Sequence, residues 1–179
     1  MFTKRVRVLL IDSCRNDQYL EGWALEESLK DGSTVNAVGS GDEAVAYMIG
    51  EGKFADRDKF PFPTLIITDL NMEQGDGFDV LEFLAHNPAW SVVPRIMFSG
   101  SAHDDDVRTA YALGASAYHV KSSSAAEIKQ RIRSIIEYWA SSEVPPVDKS
   151  GRVLPTESRY RKGSRYPKPV AAGARMERP

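Results

Sequence analysis

Asp12, Asp69, Ser99 and Lys121 each stand directly after a short apolar run: VRVLLI, TLIIT, PRIMF and AYHV. A carboxylate can attack phosphorus and hold a phosphoryl group as an acyl phosphate. Two carboxylates brought together call for a compensating cation, and Mg2+ held by carboxylates and phosphate oxygens is the usual one. An ammonium gives a phosphoryl oxygen a point charge, and a hydroxyl gives it a hydrogen bond. Each residue alone also has an ordinary reading. A strand-terminal Asp caps loops, Ser99-Gly100-Ser101 is turn chemistry, and a single Lys is a solvated surface group. The phosphoryl reading rests on their common placement at the ends of apolar runs.

The elements that position these residues follow from periodicity. Strand-length runs at Val6–Ile11, Ser33–Val38, Thr64–Thr68, Pro94–Ser99 and Ala117–Val120 alternate with helix-period segments. The helices are expected over Asp17–Lys30 (with Leu20, Trp23, Ala24 and Leu25 on its apolar stripe), Gly41–Ile49, Phe78 to about His86, Asp104–Leu113, and Ser124 to about Ala140. Asp31-Gly32, Gly50 and Gly114 stop three of them. Five β-α units in succession predict an α/β fold, a parallel sheet covered by helices on both faces with right-handed crossovers. In such sheets ligands gather beyond the carboxyl ends of the strands, where the four residues stand.

Composition sets the outer limits. The chain has 179 residues, a net charge of −2 and one cysteine, Cys14, which excludes a disulfide framework and a multi-cysteine zinc site. No apolar run reaches the roughly 18 residues of a membrane span, and a reducing, cytoplasmic setting is expected. The small net charge hides a division: residues 1–139 carry −7 and residues 140–179 carry +5. The last 40 residues also hold six of the ten prolines and few large apolar side chains. They read as a basic, flexible tail from 141 to 179 on an acidic domain over 1–140.

The segments VLLIDSCRND, LIITDLNMEQGDGFDVLEFL, PRIMFSGSAHDDDV and GASAYHVK, in this order and spacing, resemble the receiver domain of bacterial two-component response regulators. The resemblance covers about residues 5–140, and GEGKFADRDKFPFP is similar to the extended loop of stand-alone receivers, some of which serve phytochrome-type kinases. It implies a doubly wound, flavodoxin-like five-stranded parallel sheet of order 2-1-3-4-5. It implies Asp69 as phosphoacceptor, Lys121 as active-site lysine, and Asp12, Asp69 and Asn71 (through its backbone carbonyl) around Mg2+. Ser99 matches the switch hydroxyl and Tyr118 the aromatic that follows it inward. Enzyme activity is expected only as Mg2+-dependent self-phosphorylation and slow auto-dephosphorylation at Asp69.

Three positions depart from the family pattern. Ser13 replaces the second acid of the metal-binding pair, so Mg2+ affinity should fall. Glu73 replaces a loop proline and returns an acid to the vicinity. Ser122 replaces the proline after the lysine, so the Lys121–Ser122 peptide should be trans, a cis bond before a non-proline costing ~2.5–4 kcal/mol.

The implied function is that of a single-domain response regulator. A sensor histidine kinase phosphorylates Asp69, and the signal leaves by altered protein–protein binding through the face of the fourth helix, fifth strand and fifth helix, or by homodimerisation there. The alternative is a pseudo-receiver that binds partners without phosphorylation. An aspartyl-phosphate hydrolase of the haloacid-dehalogenase type would want an acid at position 71, where Asn71 stands. No membrane contact is expected, and nine basic residues in the 40-residue tail are too few to favour nucleic acid.

Overall fold

The computed structural model describes residues 5–30, 32–87, 90, 92–148 and 151–153. Strands β1 (Arg7–Ile11), β2 (Thr34–Val38), β3 (Leu65–Thr68), β4 (Arg95–Ser99) and β5 (Ala117–Val120) alternate with helices α1 (Arg15–Ser28), α2 (Gly41–Ile49), α3 (Gly77–Ala85), α4 (Asp104–Ala112) and α5 (Ala125–Ser141). The strands form one parallel sheet in the order β2-β1-β3-β4-β5, the expected doubly wound topology. Every residue of β3 is buried, as the central strand of a sheet covered on both faces requires.

Alternate side chains divide the core. Val8, Leu10, Leu65 and Ile67 point to the face covered by α1 and α5, where they meet Leu25, Ile128, Ile132 and Ile136. Leu9, Ile11 and Ile66 point to the other face and meet Ala44, Met48, Val80 and Leu84 of α2 and α3. A smaller cluster of Leu70, Leu81, Met97, Ala110 and Ala115 ties α4 to the sheet. Ala110 is the one buried residue of α4, so that helix is the most lightly held of the five.

The loop between α2 and β3 is a packed structure. Phe54 and Phe60 pack edge-on at 5.2 Å, and Tyr47 lies beside both rings. Arg57 closes α2 by donating to the carbonyls of Tyr47 and Met48 at 2.8 and 2.7 Å, taking up acceptors that a helix C-terminus leaves free.

Of the stretch read as tail, residues 142–148 and 151–153 fold back onto the domain, and 154–179 lie outside the described residues. Val147 bridges Val153 antiparallel, and Val147 packs against the cluster of Phe54 and Phe62. Gly151, at φ +81°, lies so close to the Phe62 ring that a Cβ there would come within 2.0 Å of Cζ. Trp139, near the end of α5, is half-buried against the α1–α5 core and lines a small cavity with Val144.

Candidate phosphoacceptor site

The carboxyl ends of β1, β3, β4 and β5 deliver the four residues to one edge. Asp12 follows β1 and is buried, its Oδ1 accepting from the Cys14 N–H at 2.7 Å where α1 begins. Gln18 fixes the same corner by donating to the carbonyls of Asp12 and Val38. Asp69 follows β3, and its Oδ1 accepts from the Leu70 N–H at 2.7 Å. Gly77 lets α3 start against this strand end, since a Cβ there would lie 2.3 Å from the Asp69 carbonyl oxygen. The Asp76 capping box then fixes the helix start, with Asp76 Oδ1 accepting from Phe78 and Asp79 and Asp79 answering to the Asp76 N–H.

Lys121 joins the strand ends. Its Nζ is 2.5 Å from Asp12 Oδ2 and 3.9 Å from Asp69 Oδ2. Two further carboxylates reach it, which the sequence reading did not single out: Glu21 Oε1 at 3.0 Å and Asp17 Oδ2 at 3.1 Å. Both project from α1 one turn apart. Glu21 lies on the stripe that also carries the buried Ala24 and Leu25, and an acid on that stripe was the available signal. Trp23, read as core, is instead exposed with the Lys129 ammonium over its ring.

Burial dominates the electrostatics of this cluster. It pushes the Glu21 carboxyl up to about 8 against the pull of Lys121, with Asp12 and Asp17 adding to the rise. Asp12 is raised for the same reason, although the Lys121 ammonium and the Cys14 N–H oppose the shift. Desolvation would lower the Lys121 pKa, but Glu21, Asp12 and Asp69 together outweigh it and hold the ammonium well above its ordinary value.

The expected switch positions, Ser99 and Tyr118, are close by. Ser99 is fully buried, and its Oγ lies 3.4 Å from the Ser101 N–H. The Tyr118 hydroxyl, on the neighbouring strand, donates to the Ser101 carbonyl at 3.0 Å. Ser101 Oγ donates to Asp106 in the first turn of α4, so Tyr118 and α4 meet through one residue. Burial raises the Tyr118 pKa.

Asn71, Ser13 and Glu73 are exposed at the rim. Ser122 Oγ donates to Glu127 at 2.6 Å and accepts from the Ser124 N–H, ordering the turn into α5. No peptide bond among the described residues is cis, so Lys121–Ser122 is trans.

The donor set suits a hard divalent cation. Asp12, Asp17 and Glu21 offer carboxylate oxygens that all lie within 4.8 Å of one another, and Asp69 shares their one lysine. Acids outnumber cations here, and Glu21 Oε1, although buried, forms no well-aligned hydrogen bond.

Comparison with known proteins agrees with this architecture. The response regulator receiver domain family matches residues 8–133. Response regulator Rcp1 of Synechocystis sp. is 27% identical over 139 residues, covering 78% of this chain and 92% of Rcp1. The structure of the phosphorylated cyanobacterial phytochrome response regulator RcpA is similar at a TM-score of 0.74 and 30% identity, covering 80% of this chain and all of RcpA. That of Mn2+-bound Rcp1 superposes at a TM-score of 0.71 and 26% identity, over 79% of this chain and 99% of Rcp1. With the strand order, the strand-end residues and the family match in agreement, this chain belongs to the response regulator receiver domain family.

Proposed function

We propose that this protein is a single-domain response regulator that accepts a phosphoryl group on Asp69 from a sensor histidine kinase and signals by changed protein–protein binding. The observation that carries the reading is the meeting of Asp12, Asp69 and Lys121 at the carboxyl edge, with Ser99 buried at the next strand end. An Asp69 carboxylate oxygen bonds to phosphorus as the P–N bond to the kinase imidazole breaks. The electron pair stays with the imidazole nitrogen, which takes up a proton. Lys121 supplies positive charge to the phosphoryl oxygens, and the Ser99 hydroxyl donates to another of them. A divalent cation, Mg2+ by family resemblance, would be held by Asp12, Asp69 and the Asn71 carbonyl, and would neutralise charge on the transferred group. Hydrolysis of the acyl phosphate returns the carboxylate, so turnover is that of a switch and not of a metabolic enzyme.

Output fits the α4–β5–α5 face. Tyr111, Val120 and Tyr138 are exposed there, and α4 is anchored by little buried surface. Movement of Ser99 toward a phosphoryl group would draw Tyr118 after it and bias this face between two packings. The phosphorylation-independent reading keeps one specific support: Ser13 is neutral, and Lys121 lies nearer the acids of α1 and β1 than Asp69.

Incubation with Mg2+ and acetyl phosphate tests the reading. An acid-stable, base-labile phosphate should appear on the protein and be lost in Asp69→Asn. No incorporation at any Mg2+ concentration leaves the pseudo-receiver.

A further inference from the structure

Lys121 is surrounded unevenly. Its three short contacts, at 2.5, 3.0 and 3.1 Å, go to Asp12 and to the α1 residues Glu21 and Asp17, whereas the phosphoacceptor Asp69 is 3.9 Å away. The two α1 contacts are unequal in kind. The Asp17 side chain is 39% exposed, and water screens its attraction. Glu21 is 2% exposed against a lysine that is 8% exposed, so their attraction acts across little solvent. Glu21 also has no other described partner to compete with the ammonium: its Oε1 makes no aligned hydrogen bond and faces Lys121. Nothing in the packing of α1 requires an acid at this position, because the same stripe continues as Ala24 and Leu25.

We propose that Glu21 is a positioning residue which, assisted by Asp17, holds the Lys121 ammonium in a resting place against α1, away from the phosphoacceptor. The lysine must leave this place to meet the incoming phosphoryl group. Glu21 therefore acts as a brake on phosphoryl acceptance, built into a helix that contributes no reacting atom. The proposal rests on Asp69 being the phosphoacceptor for its consequence, but not for the placement of Lys121.

The placement is read in the proton–nitrogen NMR spectrum of the lysine ammonium groups of the full chain, without cation or phosphodonor. Wild type should show one ammonium signal protected from exchange, absent in Lys121→Gln and so assigned to Lys121. Glu21→Gln should lose the protection while its backbone amide spectrum stays that of a folded domain, Glu21→Asp should restore part of it, and Asp17→Asn should weaken it only slightly. A protected signal that persists in Glu21→Gln overturns the proposal, as does its absence from wild type. The consequence is read as the rate of phosphate incorporation from acetyl phosphate at saturating Mg2+, where Glu21→Gln should be several-fold faster than wild type. An equal or slower rate overturns the brake. If no variant incorporates phosphate, the phosphoacceptor reading and the brake fall together, while the ammonium spectrum still decides the resting place.

Discussion

The ammonium of Lys121 and the carboxyl group of Glu21, one hundred residues apart, meet at 3.0 Å with both side chains almost sealed from solvent. A buried pair of this kind is a poor source of net stability, because desolvation offsets much of the attraction. Breaking it from one side is a different matter. Lys121→Met should leave Asp12 and Glu21 buried without their cation and cost about 3–5 kcal/mol in urea denaturation. Adding Glu21→Leu to Lys121→Met should recover a measurable part of that loss. Further destabilisation in the double variant would show that the pair is not where the cost arises.

The Glu21 carboxyl makes stability depend on pH with a definite sign. Its pKa rises from an ordinary 4.5 to about 8 in the folded protein, so between those values the native state keeps a proton that the unfolded chain releases. Its contribution is largest below pH 4.5 and is lost as pH rises through about 8. His119 acts oppositely: burial and the nearby Arg131 lower its pKa, so its contribution is lost as pH falls below the ordinary range. Comparison with Glu21→Gln isolates the first effect, since His119 is common to both proteins. Wild type should lose stability relative to Glu21→Gln between pH 5.5 and 8.5, measured by denaturant titration. A constant difference would mean that Glu21 does not carry the shifted proton.

Much of the architecture was legible because it rests on local pattern. Apolar runs gave β1, β3, β4 and β5, and the residue after each run reached the predicted edge. Gly41–Ile49 agrees at both ends, where Ser40 caps the N-terminus and a left-handed Gly50 closes the C-terminus. The α1 acids were less legible. Trp23, expected on the apolar stripe, faces solvent, Glu21 is buried beside Ala24 and Leu25 instead, and its partner Lys121 comes from the far end of the chain, out of reach of any local pattern. The fold-back of residues 142–148 and 151–153 was hidden for another reason: Val144, Val147 and Val153 are too sparse among prolines to show a period, and Val147 packs against a cluster that includes Phe54 and Phe62 of the loop before β3.

That fold-back should be sensitive to a single methyl group. Gly151 has a left-handed φ of +81°, and any Cβ would run into the Phe62 ring, which itself packs on Trp90 at 5.8 Å. Gly151→Ala should cost roughly 1–3 kcal/mol through strain and overpacking, or detach the segment at lower cost. A fall in melting temperature, or new protease cleavage between residues 142 and 153, reports one or the other. Unchanged stability and unchanged cleavage would place the segment off the Phe62 ring in solution.

Ser13 offers the most direct test of the metal site. It stands beside Asp12 at the exposed start of α1, where a carboxylate would add a hard oxygen ligand and one negative charge. Ser13→Asp should therefore raise Mg2+ affinity, on the order of tenfold for an added carboxylate ligand, as measured by calorimetric titration. Asp12→Asn should lower it in both backgrounds. The contribution of α1 can be read in the same titration. If Asp17 and Glu21 already compensate for the missing acid, the gain from Ser13→Asp should grow when they are neutralised as Asp17→Asn and Glu21→Gln. An equal gain in both backgrounds would mean that the α1 acids serve Lys121 alone and leave the cation to the strand ends.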